Sequence, residues 1–170
     1  MSDNYDIALV RVDNRLVHGQ ILEAWVPYIK AKCIIVVNDN IASDFYNETV
    51  IRMAVPSKIE VIFISVDEFA KNYTFTSKIG KKTIVLFSTI ADVTKAYKLG
   101  FHFDKLNIGN IYNEDFQLCC APSVFLCDID IQDILKLSKE EGVGIELKRV
   151  PRDRAVNILE AIKEYCNKKQ

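Results

Sequence analysis

The chain lacks the features that mark several large protein classes. None of its apolar runs approaches the roughly 20 residues needed to cross a bilayer. Its N-terminus, MSDNYD, is acidic and polar, the wrong chemistry for a signal peptide, so a cytoplasmic protein is expected. Net charge is only −1, too little to draw in nucleic acid or an anionic membrane. Aromatic and lysine residues show no interleaved stripe of the kind nucleic acid binding uses. Neither GxGxxG nor GxxxxGK[ST] occurs, which argues against a dinucleotide site or a P-loop. Histidine is scarce, with two residues, and cysteine is odd in number at five: Cys33, Cys119, Cys120, Cys127 and Cys166. An odd count without a secretory signal argues against a disulfide framework. Adjacent Cys119 and Cys120, with Cys127 seven beyond, are poor zinc spacing. Buried, inert thiols are expected, with no metal and no cofactor.

What remains is an ordinary globular balance, 49% hydrophobic and 26% charged, in 170 residues. One domain spanning residues 1–170 is expected, because no linker, repeat or low-complexity stretch divides it. Short β-rich runs fall at 5–12, 33–38, 59–65, 82–88, 105–109, 123–126 and 143–150. The second and fourth are nearly continuous hydrophobics, as in strands buried on both faces of a parallel sheet. Helical patterns lie between most of them. Asp44 or Ser43, Ser65, and Thr89 or Ser88 are candidate N-caps, Gly100 and Gly142 candidate C′ residues. A last helix from about Asp153 puts Ala155, Leu159, Ile162 and Cys166 on one face, ending in a solvated tail, NKKQ. Alternating strands and helices predict a single doubly wound α/β domain with a mostly parallel seven-stranded sheet and helices on both faces. Ligands in such folds bind beyond the carboxyl ends of the strands.

The first loop of that kind is RVDNRLVHGQI. A helix is expected to start at His18 or Gly19, with Ile21, Trp25 and Ile29 facing inward, Leu22 and Val26 beside them, and Pro27 shortening or kinking it. A helix start offers free N–H groups and partial positive charge to an anion. Gly19 allows close backbone approach, and Arg11 and Arg15 supply charge-assisted hydrogen bonds suited to phosphate. A histidine in such a cradle either contacts phosphate passively or attacks phosphorus and carries the phosphoryl group covalently. In the second case Arg15 and the backbone N–H groups neutralise the transferring oxygens. Asp13 either fixes an arginine or orients the imidazole tautomer. On residue types alone, solvated loop arginines and an ordinary turn aspartate stand equally open.

The segment RVDNRLVHGQILEAW resembles the active loop of IIB components of the mannose/sorbose family of the bacterial sugar phosphotransferase system, close to R-[IV]-D-x-R-[LI]-[IV]-H-G-Q with a tryptophan seven residues after the histidine. CIIVVNDNIASD, MAVPSKIEVIFISVDEF, LNIGNIY and EEGVGIELKRVPRD extend the resemblance over nearly the whole chain. It implies that His18 is phosphorylated by a IIA phosphohistidine and passes the group to a sugar held by membrane IIC and IID components. Arg15 then stabilises the phosphoryl group, and Asp13 shapes the loop or sets the tautomer. Arg11, Gly19, Gln20 and Asn14 border the phosphate. The resemblance further implies peripheral association with the membrane transporter, a sugar chosen by the membrane components, and Nδ1 as the phosphorylated nitrogen. A homo-oligomer stays open. Asn14 departs from the second aspartate of many members, and Pro27 from an ordinary helix former.

The contrasting function is a non-catalytic α/β module binding a phosphorylated small molecule or a nucleotide, with His18 as a passive contact. Among other residues, His102 reads as a loop residue, Asp39 as a turn residue or a border of the site, and Asn110 as a turn start or a polar wall. Trp25 reads as packing under the loop, and Leu16 and Val17 as candidates for an apolar docking rim.

Overall fold

Largely apolar runs of four to nine residues build the central sheet of the molecule. The structure, a computed structural model, describes residues 5–73 and 80–169; the first four residues of MSDNYD and the final Gln170 of NKKQ lie outside them. Six strands form one parallel sheet: β1 (Tyr5–Asp13), β2 (Cys33–Val37), β3 (Glu60–Ile64), β4 (Lys81–Phe87), β5 (Lys105–Asn110) and β8 (Gly144–Leu147). Their order is β3-β2-β4-β1-β5-β8. The run expected as a seventh strand of this sheet goes elsewhere. It is β7 (Val124–Leu126), which pairs antiparallel with β6 (Leu118–Ala121), a strand the periodicity missed. The sequence between them, PS, is a tight turn that folds the run back on its own neighbour, and an Ile111–Val124 bridge and a Ser123 Oγ bond to the Gly109 carbonyl reach back towards β5.

Residue alternation assigns the two faces. Val10, Val12, Ile35, Val37, Val85 and Phe87 pack under helices α3 (Val66–Asn72), α4 (Ile90–Lys98), α5 (Asp128–Leu135) and α6 (Ile158–Lys169). Ile34, Val36, Ile84 and Leu86 pack under the first helix and α2 (Phe45–Ala54). Side chains alternating across a strand explain why β2 and β4 read as unbroken hydrophobics: both faces are covered. The caps form as the sequence implies, with Asp44, Ser65 and Thr89 accepting from the N–H groups of Asn47, Glu68 and Asp92. Gly100 and Gly142 adopt positive φ.

Two local expectations change, and Pro27 marks an irregular, short first helix as expected. The last helix starts at Ile158, so Ala155 is exposed outside it while Ile158 joins Ile162 in the core; the helix also continues through Lys169, into the expected tail. Only Cys33 is fully buried, and Cys119 is exposed, because β6 lies in the hairpin rather than the sheet. The first helix has a π-wound turn over Ile21–Trp25 before α1 (Val26–Ile29), and Lys30 ends it in a left-handed conformation. Pro27 has no N–H to give to the preceding turn, and the wider winding just before it accommodates that gap.

Candidate functional site

The chain leaves β1 towards β2 in one direction and leaves β5 towards β8 in the other. A crevice therefore opens between the carboxyl ends of β1 and β5, where such folds hold ligands. The loop 14–18 sits there. Asn14 N–H donates to the Asn110 carbonyl at 2.9 Å, and Leu16 N–H to the Asp13 carbonyl at 2.9 Å. Leu16 holds φ +52° with its side chain in the core. It is thus an anchor and not an exposed docking rim; Val17 packs partly against the same cluster.

Arg11 occupies a core-facing position of β1 and is fully buried. Its Nη1 donates to Asn107 Oδ1 and, at 2.7 Å, to the Lys148 carbonyl. Its Nη2 donates to Asp13 Oδ2 at 2.9 Å and to the Arg149 carbonyl at 3.1 Å. The Trp25 ring lies 5.3 Å from the guanidinium carbon, and Trp25 Nε1 donates to the same Arg149 carbonyl. Burial lowers the Arg11 guanidinium from its usual value, and Asp13 works against that. Both terminal nitrogens are engaged and none of the side chain reaches solvent. Arg11 therefore sits under the loop rather than on a phosphate, contrary to the sequence expectation.

Asp13 is also fully buried and joins three groups. Oδ2 accepts from Arg11 and faces His18 Nε2 at 2.9 Å; Oδ1 accepts the Arg15 N–H at 3.1 Å. Burial alone would raise the Asp13 carboxyl. The His18 hydrogen bond and the Arg11 charge outweigh it and hold Asp13 below the usual carboxylate range. A carboxylate only accepts, so His18 Nε2 carries the proton between them. His18 Nδ1 is left with its lone pair, facing the Gln20 N–H at 3.3 Å. The His18 carbonyl takes the first helical bonds, from Ile21 and Leu22, so the helix starts at Gly19.

Arg15 is half-exposed, its Nη2 donating to Gln20 Oε1 at 2.9 Å and its Nε 3.7 Å from Asp13 Oδ1. Gly19 is exposed, and a Cβ there would meet nothing within 4 Å. Asn14 differs from its expected phosphate contact. Its Nδ2 donates to the Ser88 carbonyl at 2.8 Å and its Oδ1 accepts the Tyr112 N–H, so the side chain fastens the loop to the ends of β4 and β5. Asn needs both a donor and an acceptor there, which an aspartate does not supply. Asp39 stands apart, accepting the Val66 N–H at the start of α3, and Asn110 contributes its backbone carbonyl. His102 is exposed and rests on Tyr97.

Sequence reasoning missed the seat of Arg11. Asn107 is buried beside it, and a Cβ on Gly109 would fall 1.7 Å from Arg11 Nη2. The signal was present: a glycine inside a strand marks close approach by another group. The carbonyls of Lys148 and Arg149 are aimed by a turn in which Asp153 Oδ2 accepts the N–H groups of Arg149 and Val150.

Comparison with known proteins places the chain in a family. The sequence model of the sorbose-subfamily IIB component of the phosphotransferase system (PTS) matches residues 7–170. The PTS fructose-specific EIIB component of Bacillus subtilis strain 168 is 30% identical over 158 residues, covering 93% of this chain and 96% of its own. The PTS sorbose-specific EIIB component of Klebsiella pneumoniae is 32% identical over 162 residues, covering 94% and 98%. The crystal structure of the IIBSor domain of the sorbose permease from K. pneumoniae matches with a TM-score of 0.82 at 30% identity, covering 94% of this chain and 97% of that one. With a family match across almost its full length, the chain belongs to the sorbose-subfamily IIB components of the sugar phosphotransferase system, a family of phosphoryl-transfer proteins.

Proposed function

We propose that His18 is a phosphoryl carrier that attacks through Nδ1. The observation that carries this reading is the Asp13 contact at Nε2, which leaves Nδ1 unprotonated at the helix start, facing the Gln20 N–H. As the Nδ1–phosphorus bond forms, the bond from phosphorus to the phosphodonor's histidine nitrogen breaks, and that nitrogen keeps the electron pair. His18 then bears positive charge, which the buried Asp13 carboxylate balances. The Gln20 N–H, released from Nδ1, turns to a phosphoryl oxygen. Arg15 swings from Gln20 Oε1 to the transferring oxygens, a short move for a half-exposed side chain. Gly19 fits this role: neither its packing nor its φ requires glycine for the fold, so its missing side chain serves what approaches from outside.

In this reading the donor is a phosphorylated IIA protein, the final acceptor a sugar hydroxyl on membrane IIC/IID components, and the chain works on the cytoplasmic face of that transporter. Among the described residues no helix is long and apolar enough to cross a membrane. The fixed tautomer favours the covalent carrier over a passive phosphate-binding module, which has no need of a free Nδ1. Intact-mass measurement after incubation with a phosphorylated IIA protein tests it. One acid-labile, base-stable phosphoryl group is expected, absent in His18→Ala; Arg15→Ala keeps its fold and transfers roughly 10²-fold more slowly. Labelling of His18→Ala equal to wild type rules the reading out.

A further inference from the structure

The loop bearing His18 borders two exposed features that its chemistry does not use. One is the hairpin segment after β5, tied to the loop where the Tyr112 N–H meets Asn14 Oδ1. Its Tyr112 and Phe116 side chains are 61% and 41% exposed. Both pack edge-on against Phe125, with centroids 5.7 Å and 4.9 Å away, so they stand on a firm base. Single exposed apolar residues are ordinary, but a supported aromatic pair beside a reactive group marks a contact surface. The other feature is the turn after β8, where KRVPRDR puts four cations in seven residues. Its one acid, Asp153, is held by backbone N–H groups and by Arg149 Nε at 3.5 Å. Arg152 shares with Gly19 and Gln20 a groove of about 550 Å³.

We propose that the Tyr112–Phe116 segment and the Arg149–Arg154 turn together form the docking surface for the phosphodonor protein. This rests on the phosphoryl-carrier reading above. The charge decides among occupants. A phosphorylated donor carries its negative charge towards Arg15, Arg149, Arg152 and Arg154, which speeds encounter. Once the phosphoryl group sits on His18, that charge belongs to this chain, the attraction falls, and the spent donor leaves. A sugar acceptor is uncharged and gains nothing from the same cations. A second copy docked symmetrically brings the four cations against themselves. Glu114 and Asp115 lie between the two rings in sequence, so the donor's own acids belong opposite the turn and its apolar residues opposite the rings.

The test compares two donors on the full chain: a phosphorylated IIA protein, which must dock, and phosphoramidate, which need not. Tyr112→Ala/Phe116→Ala and Arg152→Glu/Arg154→Glu are each expected to lower kcat/KM for the IIA protein about tenfold or more, through KM. The arginine effect shrinks at high salt. Labelling by phosphoramidate stays within about twofold of wild type, since neither pair touches His18 or Arg15. Tyr112→Ala keeps the N–H that Asn14 uses, so the loop's anchor survives. Unchanged kinetics with the IIA protein in both pairs overturns the proposal, as does a parallel fall with phosphoramidate. Wild type labelled by phosphoramidate alone overturns the docking surface while leaving His18 as acceptor. Wild type labelled by neither overturns the carrier reading and the surface with it.

Discussion

Gly109→Ala adds one methyl group, yet the geometry makes it among the most damaging changes available near the site. The new Cβ lies 1.7 Å from Arg11 Nη2, 2.0 Å from Cζ and 2.5 Å from Nη1. Ordinary contact needs about 3.5 Å, so the guanidinium has to retreat by roughly 1.5 Å or more. It has nowhere to go: Trp25 covers one face, and Asn107 and two carbonyls fix the edges. Overpacking of a rigid site costs about 1–3 kcal/mol, and weakening a buried charge pair adds a similar amount, so about 3–5 kcal/mol is expected against a total stability of about 5–15. Urea unfolding measures this directly. Trp25, the only tryptophan in the chain, rests on Arg11, so its emission reports the same displacement. On the phosphoryl-carrier proposal, labelling of His18 in the folded protein falls as well, because Arg11 and His18 share the same Asp13 oxygen. Gly19→Ala is the control, with stability expected within about 0.5 kcal/mol of wild type because its Cβ meets open space. A Gly109→Ala protein that loses under about 1 kcal/mol and accepts phosphate normally refutes the account of Arg11.

Two further outcomes follow from the same network. Asp13 has a folded pKa below its unfolded value near ~3.9, so its contribution is fully present above that value and is lost as pH falls through the folded pKa. Asp13→Asn therefore destabilises the protein by about 3–5 kcal/mol near neutrality, because Arg11 is left buried without its counter-charge. The gap to wild type begins to narrow below about pH 4 and closes only below the folded pKa, and a constant gap down to about pH 2 contradicts the assignment. Asn14→Asp loses the donor to the Ser88 carbonyl and sets a carboxylate against that oxygen. A cost of about 1–3 kcal/mol is expected in thermal unfolding, against no change if aspartate is interchangeable with Asn14 here.

The sheet was legible because each main strand announces itself locally. β2 is a continuous hydrophobic run and β4 nearly one, and Asp44, Ser65 and Thr89 stand where helices must be capped. The hairpin was not, because Leu118–Ala121 is only four residues with two cysteines, too short and mixed for a clear period. The start of α6 was misplaced for a related reason. Ala155 falls on the helical spacing of Leu159 and Ile162, but spacing alone does not tell a helix from the irregular chain leading into it.

At the site, the helix start at Gly19 could be read from the loop alone, but the place of Arg11 could not. Strand alternation puts residues 9, 11 and 13 on one face, so a strand running to residue 12 already implied a buried arginine. What the local pattern cannot supply is the compensation, since a buried cation persists only with partners. Those partners come from 96 to 138 residues away: Asn107 on β5 and the Lys148 and Arg149 carbonyls after β8. The three family segments R-V-D, N-I-G and V-P-x-D look unrelated along the chain. In space they are one object. The first provides the guanidinium and the carboxylate it holds, the second the acceptor and the missing side chain that admits it, and the third the acid that aims the two carbonyls. His18 is thereby held through Asp13 by a fully buried cation, so residues far from His18 along the chain set the position of its ring.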